Sequence, residues 1–190
     1  DQDATFMRQK HNHEELRPSY NVQVGSENGF VIGCSVHQNS NDASNLKSHL
    51  KERKKAGLSS PKRIIGDSIY GTEENYQFIK DEKTENYLKY PSFHKELANK
   101  INPFSREDFS YDKELEIFIC PAGKKLSVID QNISAAKSGF ESHLKIYQCQ
   151  DCQNCSMIEQ CCRGRNNRTI QRSENLERFK AQAKEDPVII

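Results

Sequence analysis

At 190 residues the chain has room for one ordinary domain with an insertion, or for a domain and a small satellite. Hydrophobic residues at 34% against charged residues at 29% allow a lean core, and no apolar run approaches the roughly 18 residues of a membrane span. A net charge of +1 neither favours nor excludes nucleic acid, because local clustering sets the field that a phosphate backbone meets. The acidic, polar start is unlike a secretory signal, so the expected setting is soluble and intracellular.

In chain order, Asp1 to Met7 reads as the tail of a strand that opens on the acidic motif with no residues before it to pair, which points to a fragment. Arg8 to Pro18 is polar and reads as a hydrated loop, with His11 and His13 lacking partner ligands at suitable spacing. Tyr20, Val22 and Val24 alternate with polar residues, as do Phe30, Ile32, Cys34 and Val36 with smaller ones, the period of half-buried strands. Asn28-Gly29 between them predicts a tight antiparallel hairpin, and Cys34 falls on the apolar phase as a packed thiol.

Asp42 is the expected cap of an amphipathic helix that carries Leu46 and Leu50 and stops at Gly57. Ile64 and Ile65 then lead to Asp67 at a strand tip. Thr72 caps a second helix with Tyr76 and Ile79 on one side, and Asn86 to Tyr90 forms a further strand closed by Pro91. Taken alone, an aspartate at a strand tip more often caps a turn than does chemistry.

The ordered motifs are more specific than any one residue. Asp1-Gln2-Asp3-Ala4, Ser19-Tyr20-Asn21-Val22-Gln23 and Gly66-Asp67-Ser68-Ile69-Tyr70-Gly71-Thr72-Glu73-Glu74-Asn75 resemble, in order, the Asp-Pro-Asp-Ala, Gly-Tyr-Asn-Val-Gln and Ala-Asp-x-Gly-Tyr-x-x-x-x-Asn motifs of the DDE transposases of bacterial insertion sequences. The resemblance implies an α/β fold with an RNase H-like mixed sheet: a three-strand meander, helix, strand, helix, strand. It also implies that Asp67 is the second catalytic acid and that Asp1 or Asp3 is the first. Asp1 aligns best, while Asp3 would point the same way from an extended strand. Held on adjacent strands, such carboxylates would bind two magnesium or manganese ions for phosphoryl transfer. The family's third acid is a glutamate in a pattern that residues 171–190 do not contain, so weak or absent strand transfer is expected of this chain.

Six of the seven cysteines lie between Cys120 and Cys162. An odd total, short Cys-x-x-Cys spacings and no secretory signal favour metal over disulfides. Cys152 and Cys155 form a close pair that Cys120 and Cys161 would complete as a four-thiolate zinc site, a choice the resemblance supports. Cys149 and Cys162 are substitutes, Cys149-x-x-Cys152 having the same spacing as Cys152-x-x-Cys155, and reduced thiols without metal are the plainer alternative.

The resulting organisation is a catalytic core over 1–91, a cysteine-rich, zinc-binding insertion over 92–170 and a helical tail over 171–190. Two basic clusters stand out. One runs from Lys47 to Arg63; the other contains Arg163, Arg165, Arg168 and Arg172, where phosphate contacts to transposon-end and target DNA are expected if the cluster is more than a solvated face. A homo-oligomer of the full-length protein, associated with the nucleoid and not with membrane, completes the expectation. The rival reading is a non-catalytic zinc-ribbon module, binding DNA or protein, on a degenerate α/β scaffold. A general RNase H-like nuclease is a third.

Overall fold

The structure is a computed structural model that describes residues 3–9, 12–162 and 166–186. The chain divides into two compact units, Asp1–Pro91 with Ala183–Ile190, and Ser92–Gln182.

In the first unit, β1 (Thr5–Gln9) pairs antiparallel with β2 (Asn12–Ser19), and β3 (Asn21–Glu27) with β4 (Phe30–His37). The stretch read from sequence as a polar loop is therefore largely strand: Leu16 and Pro18 face Arg8 and Phe6 in register, and backbone pairing offsets the poor apolar content. The second pair turns at Asn28 and Gly29, with φ of 50° and 83°, the positive angles that two-residue hairpins demand. Four strands in two separate pairs thus replace the expected three-strand meander.

Helix α1 (Asp42–Lys55) lies against the β3–β4 pair and ends as expected, with Gly57 at φ 80°. Its cap is Asn41 rather than Asp42: the Asn41 side chain accepts the Ala43 N–H at 3.0 Å, leaving Asp42 free for other partners. The hairpin turns its polar face to this helix. Gln23 and Ser35 are opposite one another and buried, whereas Val22 and Val36, also opposite, are 54% and 58% exposed. Cys34 shares that outer face and is exposed, which corrects the packed thiol read from its apolar phase.

Gly25 and Gly33, paired in register on the inner face, let the helix approach: a Cβ on Gly33 would sit 3.0 Å from the Arg53 side chain. The Ser35 hydroxyl bridges His37 Nε2 and His49 Nδ1, each at 2.7 Å. Burial holds the His49 imidazole below its ordinary pKa, with Arg53 and His37 adding to the effect.

Beyond α1, β5 (Arg63–Ile64) runs parallel to β6 (Glu85–Asn86), joined through a 3-10 turn at Ser68–Tyr70 and helix α2 (Glu73–Asp81). Thr72 caps α2, accepting the Asn75 N–H at 3.3 Å, and Glu74 of α2 pairs with Lys47 of α1 at 3.1 Å. The last strand is Glu85–Asn86 rather than Asn86 to Tyr90, because its partner β5 ends at Ile64. Leu88, Lys89 and Tyr90 are buried nonetheless, and Lys89 Nζ donates to the carbonyls of Ala183 at 2.5 Å and Asp186 at 2.9 Å.

The second unit begins with helix α3 (Phe93–Leu97) and is built on one antiparallel sheet of β7 (Ser110–Asp112), β8 (Ile117–Ile119), β9 (Lys125–Ala135), β10 (Glu141–Cys149) and β11 (Thr169–Arg172), in the order β11-β10-β9-β8-β7. Short helix α4 (Ile158–Cys161) precedes β11, and α5 (Glu174–Glu185) follows it. Phe109, Phe118, Leu126, Tyr147, Cys149, Cys152 and Ile170 form the core, with Phe118 and Tyr147 rings edge to face at 4.9 Å. The chain is therefore mixed α/β, and the five-stranded sheet lies in the stretch read from sequence as the cysteine-rich insertion, with its last strand β11 running to Arg172.

Candidate functional site

Asp67 stands three residues past the end of β5, exposed, and its Oδ1 accepts the Ile69 N–H at 3.1 Å and the Ser68 hydroxyl at 3.3 Å. It caps the 3-10 turn as a short acceptor side chain should. Asp3 is also exposed and accepts the Tyr20 hydroxyl at 2.5 Å. That bond holds the Asp3 carboxyl below, and the Tyr20 phenol above, their ordinary pKa values. Asp1 lies outside the described residues. Strands β1 and β5 belong to different pairs, so they are not the hydrogen-bonded neighbours that the resemblance implies.

Around the turn capped by Asp67 is a polar network that the motifs held but the sequence reading did not use. Asp42 Oδ1 accepts Asn21 Nδ2 at 2.5 Å and Gln23 Nε2 at 3.2 Å, and Gln23 Nε2 also donates to Asn21 Oδ1 at 2.6 Å. The Tyr70 hydroxyl donates to Gln23 Oε1. Burial, the Asp42 carboxylate and, more weakly, the Asp67 carboxylate push the Tyr70 phenol up, so it remains a donor at neutral pH. Asn75, 2% exposed, donates through Nδ2 to the Ala43 carbonyl at 2.8 Å and the Tyr70 carbonyl at 2.9 Å. The available signal was the inward phase of β3, where polar Asn21 and Gln23 occupy positions that an ordinary core would give to apolar residues.

As donors, the carboxylates of Asp3 and Asp67 have the hard oxygen chemistry that magnesium or manganese requires. Among the described residues, however, no group of three or more His, Cys, Asp and Glu side chains is gathered to hold a metal ion.

In the second unit, Cys120, Cys149, Cys152, Cys155, Cys161 and Cys162 line one small cavity. Cys120-Pro121-Ala122-Gly123 is the β8–β9 turn: Gly123 N–H donates to the Cys120 carbonyl at 2.8 Å, and Lys124 N–H to Cys120 Sγ at 3.3 Å. Cys152 Sγ similarly accepts the Arg168 N–H at 3.4 Å, while Cys162 Sγ donates to the Asn166 carbonyl at 2.8 Å. Burial raises the Cys149 and Cys161 thiols above their usual pKa, which favours the protonated form that a metal would have to displace. The set Cys120, Cys152, Cys155 and Cys161 thus shares a cavity without forming a coordination shell.

Of the basic cluster, Arg163 and Arg165 lie outside the described residues. Arg168 donates to the carbonyls of Phe104 at 3.2 Å and Cys161 at 3.4 Å. Arg172 pairs with Glu174 at 3.0 Å and Glu177 at 3.6 Å and stacks 4.0 Å over the Tyr111 ring. Both guanidinium groups are engaged within the second unit, Arg172 on the sheet and Arg168 on the carbonyls of Phe104 and Cys161.

Residues 119–187 match the family model described as Transposase DDE domain. The match covers less than half of the chain and supports a likeness to DDE transposases. No curated protein and no solved structure matches the chain. No described helix is long and apolar enough to cross a membrane.

Proposed function

We propose that the chain is part of a transposase that cleaves and joins the DNA of an insertion sequence. The observation that carries this is the family match over residues 119–187. The strand order from Asn21 to Asn86, with a parallel β5–β6 pair crossed through α2, is compatible with an RNase H-like core over 1–91. In this reading 92–170 is an insertion and 171–190 a helical tail.

Asp67, with Asp1 or Asp3, would hold magnesium or manganese, and the ions would supply charge stabilisation to the attacking and leaving oxygens. What the chain's own residues contribute is placement: the Asp67 carboxylate is fixed by the Ile69 N–H and the Ser68 hydroxyl. Residues 171–190 do not contain the third acid's pattern, so the chain alone is expected to bind DNA better than it processes it. Phosphate contact is assigned first to Arg163 and Arg165, because Arg168 and Arg172 are already engaged. The full-length protein would act as a homo-oligomer in the cytoplasm, close to the nucleoid.

A second reading, a zinc-ribbon module without catalysis, is favoured by the six thiols that line one cavity. In it, and as a subsidiary part of the first, zinc would be held by four of them, with Cys120, Cys152, Cys155 and Cys161 as the leading set.

Fluorescence anisotropy of a labelled duplex across a salt series tests DNA binding. The expected result is affinity that falls steeply with salt, each neutralised phosphate adding about 0.9 to the logarithmic slope. Affinity independent of salt would overturn the phosphate-contact assignment.

A further inference from the structure

The residues that hold Asp67 in place lie on three elements. Asp67 caps the 3-10 turn Ser68–Tyr70, whose third residue is Tyr70. The Tyr70 hydroxyl donates to Gln23 of β3; Gln23 in turn donates to Asp42 at the start of α1, and Asn21 braces the same carboxylate. Gln23 is 7% exposed, so its amide cannot exchange these partners for water without opening the hairpin–helix contact.

The amide orientation follows from chemistry. Tyr70 offers an O–H, so the oxygen of the Gln23 amide faces it, and the nitrogen faces Asp42 and Asn21. A carboxylate at position 23 would reverse one side of this arrangement, and an apolar residue would break both.

We propose that Tyr70 and Gln23 are positioning residues for Asp67, their hydrogen bond fixing the turn that Asp67 caps to strand β3 and helix α1. This rests on the reading of Asp67 as a metal-holding acid only in its functional consequence. The geometric part stands on the network alone.

The geometry makes Tyr70 suitable for this role. Asn75 already anchors the Tyr70 backbone carbonyl and Gly71 is buried, so the phenol fixes the remaining freedom of the turn. Removing only the hydroxyl keeps the ring and the fold while freeing the turn to rotate. Asp67 would then lose its fixed register to the Ile69 N–H.

The experiment compares the full chain with Tyr70→Phe, Gln23→Leu and the double variant, using two readouts. The first is amide hydrogen exchange at Ile69, whose N–H is held by Asp67. Each single variant is expected to speed it about tenfold, and the double variant to do no more than Gln23→Leu alone, because the Tyr70–Gln23 bond that Tyr70→Phe removes is already lost in Gln23→Leu. Unchanged exchange at Ile69 in both single variants would overturn the proposal. So would acceleration spread evenly over β3 and α1, which marks general destabilisation.

The second readout is manganese binding, followed by the electron paramagnetic resonance of free Mn²⁺, with Asp67→Asn as control. Weaker binding in Tyr70→Phe, at a melting temperature close to the parent's, supports positioning for function. Binding unaffected by Asp67→Asn would remove the metal reading while leaving the Ile69 result to decide the geometry.

Discussion

Asn75 provides the sharpest test of how the Asp67 segment is built. Its side-chain nitrogen is buried and serves two backbone carbonyls, Ala43 on α1 and Tyr70 on the turn, at 2.8 and 2.9 Å. Asn75→Ala removes both bonds and adds no partner. A net loss of about 1 kcal/mol for each bond, plus the desolvation of carbonyls left buried, gives about 2–4 kcal/mol. Asn75→Asp should cost more, since it places a charged acceptor against two acceptors.

The chain has no tryptophan, so urea denaturation is best followed by far-UV circular dichroism together with tyrosine fluorescence. Because the chain forms two compact units, the analysis should allow two transitions, and the loss should fall on the one that reports α1 and α2. A change smaller than about 0.5 kcal/mol in Asn75→Ala would refute the claim that these two bonds hold the turn to the helix, since that is the scale of an ordinary surface substitution.

Other consequences follow from the same structure. Gly71→Ala would place a Cβ 2.3 Å from the Lys89 carbonyl oxygen, so the backbone must shift. A loss of about 3 kcal/mol is expected, measured by thermal unfolding, and a neutral variant would contradict the close approach. His49 is kept neutral by burial, so the unfolded chain takes up a proton more readily. The stability it contributes is present above the unfolded value of about 6.5 and is lost as pH falls through that value toward the depressed folded one. His49→Gln should flatten this slope as pH falls through the unfolded value of about 6.5, and an unaltered slope would point to another group. Arg172→Ala removes the stack on Tyr111 and two ion pairs, for an expected cost of about 2 kcal/mol to the five-stranded sheet, read from the Tyr111 ring resonances and unfolding midpoint. Elemental analysis of protein purified under reducing conditions should find about one zinc per chain if the thiol cavity binds it. No zinc would remove that site.

The legible parts of the fold were those written in local chemistry. Asn28-Gly29 announced a hairpin because few other pairs accept two positive φ angles; Gly57 and Thr72 marked helix ends for equally local reasons. Strand pairing was less legible, since β2 is stabilised mainly by backbone bonds to β1 and carries a polar sequence. The hairpin's facing was misread for Cys34 because apolar periodicity names the side expected to be buried. Here Ser35 and His49 satisfy one another on the inner side, where Gln23 bonds to Asp42 and Tyr70.

The site was legible as residues but not as an arrangement. Tyr70, Gln23, Asn21 and Asn75 were all inside the motifs that carried the resemblance, yet only the folded chain shows them bonded across three elements. Asp42 was misassigned as a cap because Asn41, its neighbour, has equal cap chemistry and the backbone angles to use it. The arginines from Arg168 onward illustrate the limit of charge patterns: sequence shows the charge, and only contacts show that Glu174, Glu177 and backbone carbonyls already take it up.

Whether Asp67 holds a divalent cation is the question on which the transposase account turns most directly. Manganese titration of the chain, with Asp67→Asn in parallel, is the measurement. The account predicts saturable binding that Asp67→Asn abolishes or weakens at least tenfold. Equal binding by both proteins, or none by either, would contradict it.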